Sequence, residues 1–376
     1  EIYTLSLHDA LPISSLQSPA YLGSSFAFIS PALLVINNPN LGYQYALGGF
    51  VVTGFIFMTV AVIVKFAGVK WIDTVLPPAA MGPVVALIGL ELAGNAAQNG
   101  GIILTETYKS INSKFVIAFI VTLLVAIFGQ VLFRGFASAI AILISIITGY
   151  AVALGLGIVD FGTVHQASWL AMPNFLTPKF NIEAILIIIP ASLVVISEHI
   201  GHQVVTSEIV GSNLLEDPGL HRSLFSDGIS TSLSGFCGSV PTTTYGENIG
   251  VMAITKVYSV WVIGGAALFS ILLSFVGKAS GLIQSIPAPV MGGVSFLLYG
   301  MIAASGIRLM VDEKVDYSKS RNLAMTSLIF IVGLSGAYIK IGSVELKGMC
   351  LATIVGIIMG LIFYILDKMH ITNDHS

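Results

Sequence analysis

The sequence predicts an all-α polytopic membrane protein, on three observations. Hydrophobic residues make up 55% of the 376-residue chain and charged residues only 9%, against roughly a quarter charged in a soluble domain. Apolar runs of about 20 residues, the length that crosses a bilayer as a helix, recur along the chain. Between them lie shorter apolar stretches broken by Gly and Pro. Non-helical backbone survives at membrane depth only where protein or a cavity satisfies its polar groups.

Taken in order, the runs predict spans near 43–66, 75–96, 114–133, 136–157, 183–209, 258–277, 287–308, 322–339 and 345–367. Each is bounded by Gly, Pro or charge, the usual local punctuation. Segments 22–37, 223–239 and 242–257 are apolar but too short or too broken for simple spans. In transporters, such interrupted segments build the binding site. The opening "EIYTLSLHDALPIS" is neither a signal peptide, lacking a basic start, nor a span. It resembles a translated sequencing-adapter tail, so residues 1–14 are read as a non-native leader.

An internal repeat organises the chain. "PPAAMGPVVALIGLELAG" begins at Pro77 and "PAPVMGGVSFLLYGMIAASG" at Pro287, an offset of 210 residues. The broken stretch around "GSSFAF" precedes the first copy and "PTTTYGEN" precedes the second. The helices at 183–209 and 223–239 have no counterpart before the first broken stretch, so the offset predicts about two further helices upstream. Successive crossings place ten Lys and Arg on one side, including the dense 308–321 loop, and six on the other, among them Lys340 and Lys347. The richer side, with the C-terminus, is expected to be cytoplasmic.

Other classes are excluded by composition. A net charge of −3 does not suit nucleic acid. Two cysteines, Cys237 and Cys350, in apolar stretches form no disulfide framework or metal spacing. No nucleophile–base pair suggests an enzyme. "ISEHIGHQVV" reads Glu-His-x-x-His, whereas a zinc protease needs His-Glu-x-x-His.

That same segment carries the first chemical signal. An ionisable residue inside a span is costly and marks a functional site by default. About 15 apolar or small residues precede Glu198, and His202 follows it by one turn on the same helix face, while His199 points elsewhere. The second signal is "SVPTTTYGENIGVMAITK". Its Pro and threonines suit an extended stretch, Gly246 allows close backbone approach, and a short helix begins near Glu247. N–H groups at such a start point at whatever sits before them, and the helix dipole stabilises a carboxylate there. Glu91 lies near a helix end where the interface can solvate it, and Asp227 lies near a loop boundary.

"AYLGSSFAFISP", "SEHIGHQVVTSEIV", "DPGLHRS", "SVPTTTYGENIGVMAITKVYS" and "PAPVMGGVS" together resemble the nucleobase–cation symporters, also called nucleobase–ascorbate transporters. The family signature stands here as Glu247, Asn248, Gly250, Thr255 and Lys256. The resemblance runs from about Pro19 to Lys368. It implies two inverted seven-segment repeats, with about 12 of 14 segments present, in which two half-helix segments contain short crossing strands. It further implies a partial core domain at 15–70, gate at 71–160, core at 183–280, gate at 285–369 and a cytoplasmic tail at 370–376.

For function, the resemblance implies a proton-coupled symporter in the cytoplasmic membrane, with uracil as cargo because Glu247 opens the signature where Gln would favour xanthine or urate. Glu198 and Glu247 would bind the base by side chain, and Phe26 and Gly246 by backbone. His202, with Glu198, would serve proton coupling, and Tyr245 and Tyr299 would join the polar network. No cofactor beyond the coupling proton, no nucleic acid, a lipid surround and a homodimer are expected. An anion exchanger of the same architecture is the reading from another class, and two glutamates in the site argue against it.

Overall fold

A backbone in lipid must satisfy its own N–H and C=O groups, so helices dominate and every departure from helix needs a partner. The computed structural model describes residues 21–68, 70–103, 110–341 and 344–372. The expected leader at 1–14 lies outside the described residues, as do residues 373–376 of the expected tail.

The described chain opens with a three-residue strand, β1 (Leu22–Ser24), a tight turn at Phe26–Phe28 and the short helix α1 (Ile29–Ile36). Two long helices follow, α2 (Tyr43–Ala67) and α3 (Pro78–Asn99). Pro78 sits in the first turn of α3, where its missing N–H costs nothing. Then come α4 (Ser113–Leu132), begun by the Asn112 side chain accepting from the Lys114 N–H, and α5 (Ala141–Gly155). Helix α6 (Ile182–Val210) is capped by Asn181, whose side chain accepts from the Glu183 and Ala184 N–H groups. It ends at Gly211 in the left-handed conformation that favours glycine.

Helix α7 (Leu220–Phe236) leads to β2 (Thr242–Thr244) and the short helix α8 (Gly246–Thr255). The chain continues through α9 (Val260–Ser274), α10 (Gly277–Gln284), α11 (Ala288–Asp312) and α12 (Ser320–Leu334). A hairpin, β3 (Tyr338–Ile341) with β4 (Val344–Lys347), delivers it to α13 (Gly348–Lys368). Among the described residues, six helices are long and apolar enough to cross a membrane: α2, α3, α4, α6, α11 and α13.

Two expectations need correction. The span at 136–157 is divided at Ile140, whose backbone (φ −106°, ψ 18°) leaves the helical region, so α5 begins only at Ala141. The span at 322–339 stops at Leu334, because residues 338–341 pair with 344–347 instead of extending the helix. The stretch at 223–239, expected to be too short or too broken for a simple span, lies largely within α7, unbroken but at 17 residues not among the six.

Packing falls into two principal groups. Helix α7 lies along α2, with α6 also on α2, while α11 lies along α3 and contacts α4, and α12 and α13 flank α3. Phe28 and Phe50 are both sealed from solvent and meet edge to face at 6.1 Å, tying the turn before α1 to α2. Polar side chains knit the same group: Ser232 Oγ donates to the Val51 carbonyl at 3.2 Å and Ser192 Oγ to Thr53 Oγ1 at 3.3 Å. Small hydroxyls suit this setting because lipid offers them no competing partner. Helix α9, by contrast, presents Trp261, Val262, Leu268 and Phe269 outward, as a lipid-facing helix should.

Phe50→Ala is expected to destabilise the fold by about 3–5 kcal/mol through the cavity left beside Phe28. Phe50→Leu, which fills much of that space, should lower the thermal midpoint in detergent clearly less. Equal shifts for the two variants would contradict the packing described here.

Candidate functional site

The two interrupted segments meet. Strands β1 and β2, some 220 residues apart in sequence, pair antiparallel with Leu22 opposite Thr244, Gly23 opposite Thr243 and Ser24 opposite Thr242. The ladder extends beyond the strands through Ser25 N–H to the Pro241 carbonyl (2.9 Å) and Tyr245 N–H to the Tyr21 carbonyl (3.1 Å). Each strand runs into a short helix, so the starts of α1 and α8 are placed by the same pair.

Helix α6 packs against β2 and α8. Glu198 lies near the middle of this 29-residue helix and is half-buried and partnered. One turn on, His202 Nδ1 and Thr244 Oγ1 are hydrogen-bonded at 3.1 Å. The other ring nitrogen, Nε2, lies 3.0 Å from where a Cβ on Gly246 would stand. Any side chain at 246 would therefore press on the imidazole. Tyr245 caps α8 from outside the helix, and its hydroxyl is 2.8 Å from Ser24 Oγ across the strand pair. Glu247 is the second residue of α8; its side chain lies outside what the structure describes.

Phe26, at the turn after β1, meets Tyr299 of α11 edge to face with ring centroids 5.9 Å apart. Of the residues singled out by sequence, His202, Tyr245 and Gly246 thus meet at the start of α8, and Glu198 stands one turn before His202 on α6. Phe26 and Tyr299 form a separate contact on the β1 side of the strand pair.

Sequence reasoning missed a buried polar cluster beneath β2. Asp227, expected near a loop boundary, lies within α7 and is fully buried. Its Oδ1 accepts from Thr242 Oγ1 at 3.3 Å, and its Oδ2 is 3.4 Å from His199 Nδ1. That last approach is within ion-pair reach but outside hydrogen-bond alignment. His199 Nε2 is in turn bonded to Ser223 Oγ at 3.0 Å, and Thr231 Oγ1 accepts from the Thr242 N–H at 3.2 Å. The cluster fixes β2 through Thr242, on the strand face that also presents Thr244 to His202. A signal was present in the adjacency of Glu198 and His199, which puts the two residues on different helix faces.

A bundle of apolar helices around two paired, interrupted segments defines a multi-pass membrane protein. The chain belongs to the Permease family, whose sequence profile matches residues 6–342. It is 59% identical over 349 residues to the uracil permease of Escherichia coli (strain K12), covering 93% of this chain and 80% of that relative. It is 55% identical over 358 residues to the uracil permease of Paenibacillus larvae subsp. larvae (strain NRRL B-3650 / LMG 16245), covering 95% and 85%. Among solved structures, the transmembrane domain of a cyanobacterium bicarbonate transporter, BicA, superposes with a TM-score of 0.62 at 14% identity. That alignment covers 92% of this chain and 84% of BicA's, and shows a shared fold alone.

Removing one partner from a buried polar cluster leaves the groups it satisfied unpaired, at a cost of about 1–3 kcal/mol each. Asp227→Ala should therefore destabilise the protein strongly, and much less when His199→Ala is already present. A double-mutant cycle by thermal unfolding in detergent checks the pairing; purely additive shifts would count against it.

Proposed function

We propose that this chain is a proton-coupled symporter that imports uracil across the cytoplasmic membrane by alternating access. The observation that carries the proposal is 59% identity, across most of the chain, to a uracil permease. The paired strands that set the start of α8 beside His202 and the Glu198-bearing helix support it.

In this reading the chain holds inverted repeats divided between a core and a gate. The core comprises β1 to α2 with α6 to α9, and the gate comprises α3 to α5 with α11 to α13. The mutual packing of α2 with α7, and of α3 with α11, supports that division. The C-terminus is cytoplasmic, and the assembly is a homodimer in lipid.

Uracil offers N–H donors flanked by carbonyl acceptors. A carboxylate at Glu247 accepts from an N–H, while backbone N–H groups at Gly246 and Phe26 donate to carbonyls. Tyr245 and Tyr299 border the bound ring. A neutral ligand held against two carboxylates leaves excess negative charge in a low-dielectric site. One proton on Glu198 relieves it, with His202 as the neighbouring carrier, and this couples the two cargoes. No cofactor takes part. A bicarbonate-like anion fits poorly against the same carboxylates, so the fold shared with BicA does not extend to its cargo.

Glu247→Ala should weaken uracil binding by about 10- to 150-fold, the loss of one charge-assisted hydrogen bond of ~1.5–3 kcal/mol. Equilibrium binding of labelled uracil measures it, and near-normal affinity would sink the assignment. Glu198→Gln should abolish accumulation driven by a pH gradient in vesicles; accumulation that still follows the gradient would rule out its coupling role.

A further inference from the structure

The carboxylate of Glu91 does two separate things. From α3, its Oε2 accepts the Met349 N–H at 3.0 Å, in the first turn of α13. Its Oε1 accepts from Ser30 Oγ at 2.6 Å, on α1. The first bond joins two gate helices; the second crosses to the core. We infer that Glu91 is a positioning residue that latches core to gate through Ser30 in this conformation, and that transport requires the latch to break. The inference rests on the core–gate division proposed above.

The gate-side bond is built to persist. The first N–H groups of a helix have no partner within it, and the helix dipole favours an anion there. Gly348, at φ +56°, turns the chain into α13, and any Cβ at that position would collide with the Glu91 carboxylate. The carboxylate is thus seated before the core arrives. The core-side bond depends on one hydroxyl, carried by the short helix that β1 positions. Ser30 follows Phe26 by about one turn, and Phe26 makes the other contact described between β1–α1 and the gate, against Tyr299. When the core slides, α1 moves with it while Glu91 stays with α13, so the Ser30 bond is the one that opens.

The latch also has a location that gives it consequence. Glu91 and Ser30 line a polar recess with Asn37, Asn38, Asn95, Lys340 and Lys347. Lys340 and Lys347 belong to the face opposite the cytoplasmic one in the charge reading above. Breaking the latch therefore widens the recess toward the outer side, where imported cargo arrives. Glu91, expected to be solvated near a helix end, is half-buried in this recess and also accepts from two protein donors.

The test places spin labels on either side of the recess, at Asn40 and Lys340, both exposed, after Cys237→Ser removes the exposed thiol. Distances are read by pulsed electron resonance in reconstituted protein, first without substrate. Ser30→Ala should raise the ratio of the longer to the shorter distance by about ten-fold or more, the scale set by losing a hydrogen bond to a charged group. Ser30→Thr, which keeps the hydroxyl, should restore the parent distribution. A parent distance that responds to uracil but is unchanged by Ser30→Ala overturns the latch while leaving the transport reading intact. A distance that neither substrate nor a pH gradient changes overturns the core–gate division and the latch with it.

Discussion

The structure depends on one short piece of antiparallel sheet. Within a membrane, each unpaired backbone N–H or C=O costs several kcal/mol, so an interrupted segment is tolerable only when something answers its polar groups. Here two interrupted segments answer each other. Leu22 to Ser24 pairs with Thr242 to Thr244, and the flanking bonds at Ser25 and Tyr245 extend the ladder by one residue at each end. Neither segment could hold its extended form at this depth without the other. The pairing therefore forces the starts of α1 and α8 to lie side by side, which brings the N–H groups of two short helices to one place.

What surrounds the pair follows from that requirement. Beneath β2, Thr231 and Asp227 of α7 take up the Thr242 backbone and hydroxyl, and His199 closes the buried cluster. Beside it, His202 of α6 engages Thr244. One helix thus engages one face of the strand twice: His199 through Asp227 and Thr242, and His202, three residues on, at Thr244, with Glu198 one turn before His202. The strand is held rigidly enough for its successor helix to present a fixed start, as selective recognition of a small planar ligand needs. Tyr299 and Glu91, which meet the β1–α1 segment at Phe26 and Ser30, belong to helices that pack among themselves.

Much of this was legible in the chain. The spans at 43–66 and 183–209 were read to within a residue or so, because Gly42, Gly68, Asn181 and Gly211 punctuate uninterrupted apolar runs. Glu198 and His202 declared themselves by helical spacing in an apolar setting. The β3–β4 hairpin did not, since Tyr338 and Ile339 continue the apolar run of the helix and pairing with Lys347 and Leu346 takes them out of it. Asp227 was misread because its neighbours, "HRSLFSDGISTS", carry the composition of a loop; its partners His199 and Thr242 come from other elements. The same holds for Glu91, whose two donors lie on segments far from it in sequence. Local pattern located the elements and the buried charges, and tertiary pairing decided what each charge meets.

The central claim is that the half-helix bearing Glu247, set by the strand pair, selects the single ring of uracil over fused-ring purines that carry the same N–H between carbonyls. The most direct measurement is competition at equilibrium: labelled uracil bound to the purified protein, challenged separately with unlabelled uracil and with xanthine. The account predicts displacement by uracil and none by xanthine at the same concentration. Displacement by xanthine as effective as by uracil would contradict it.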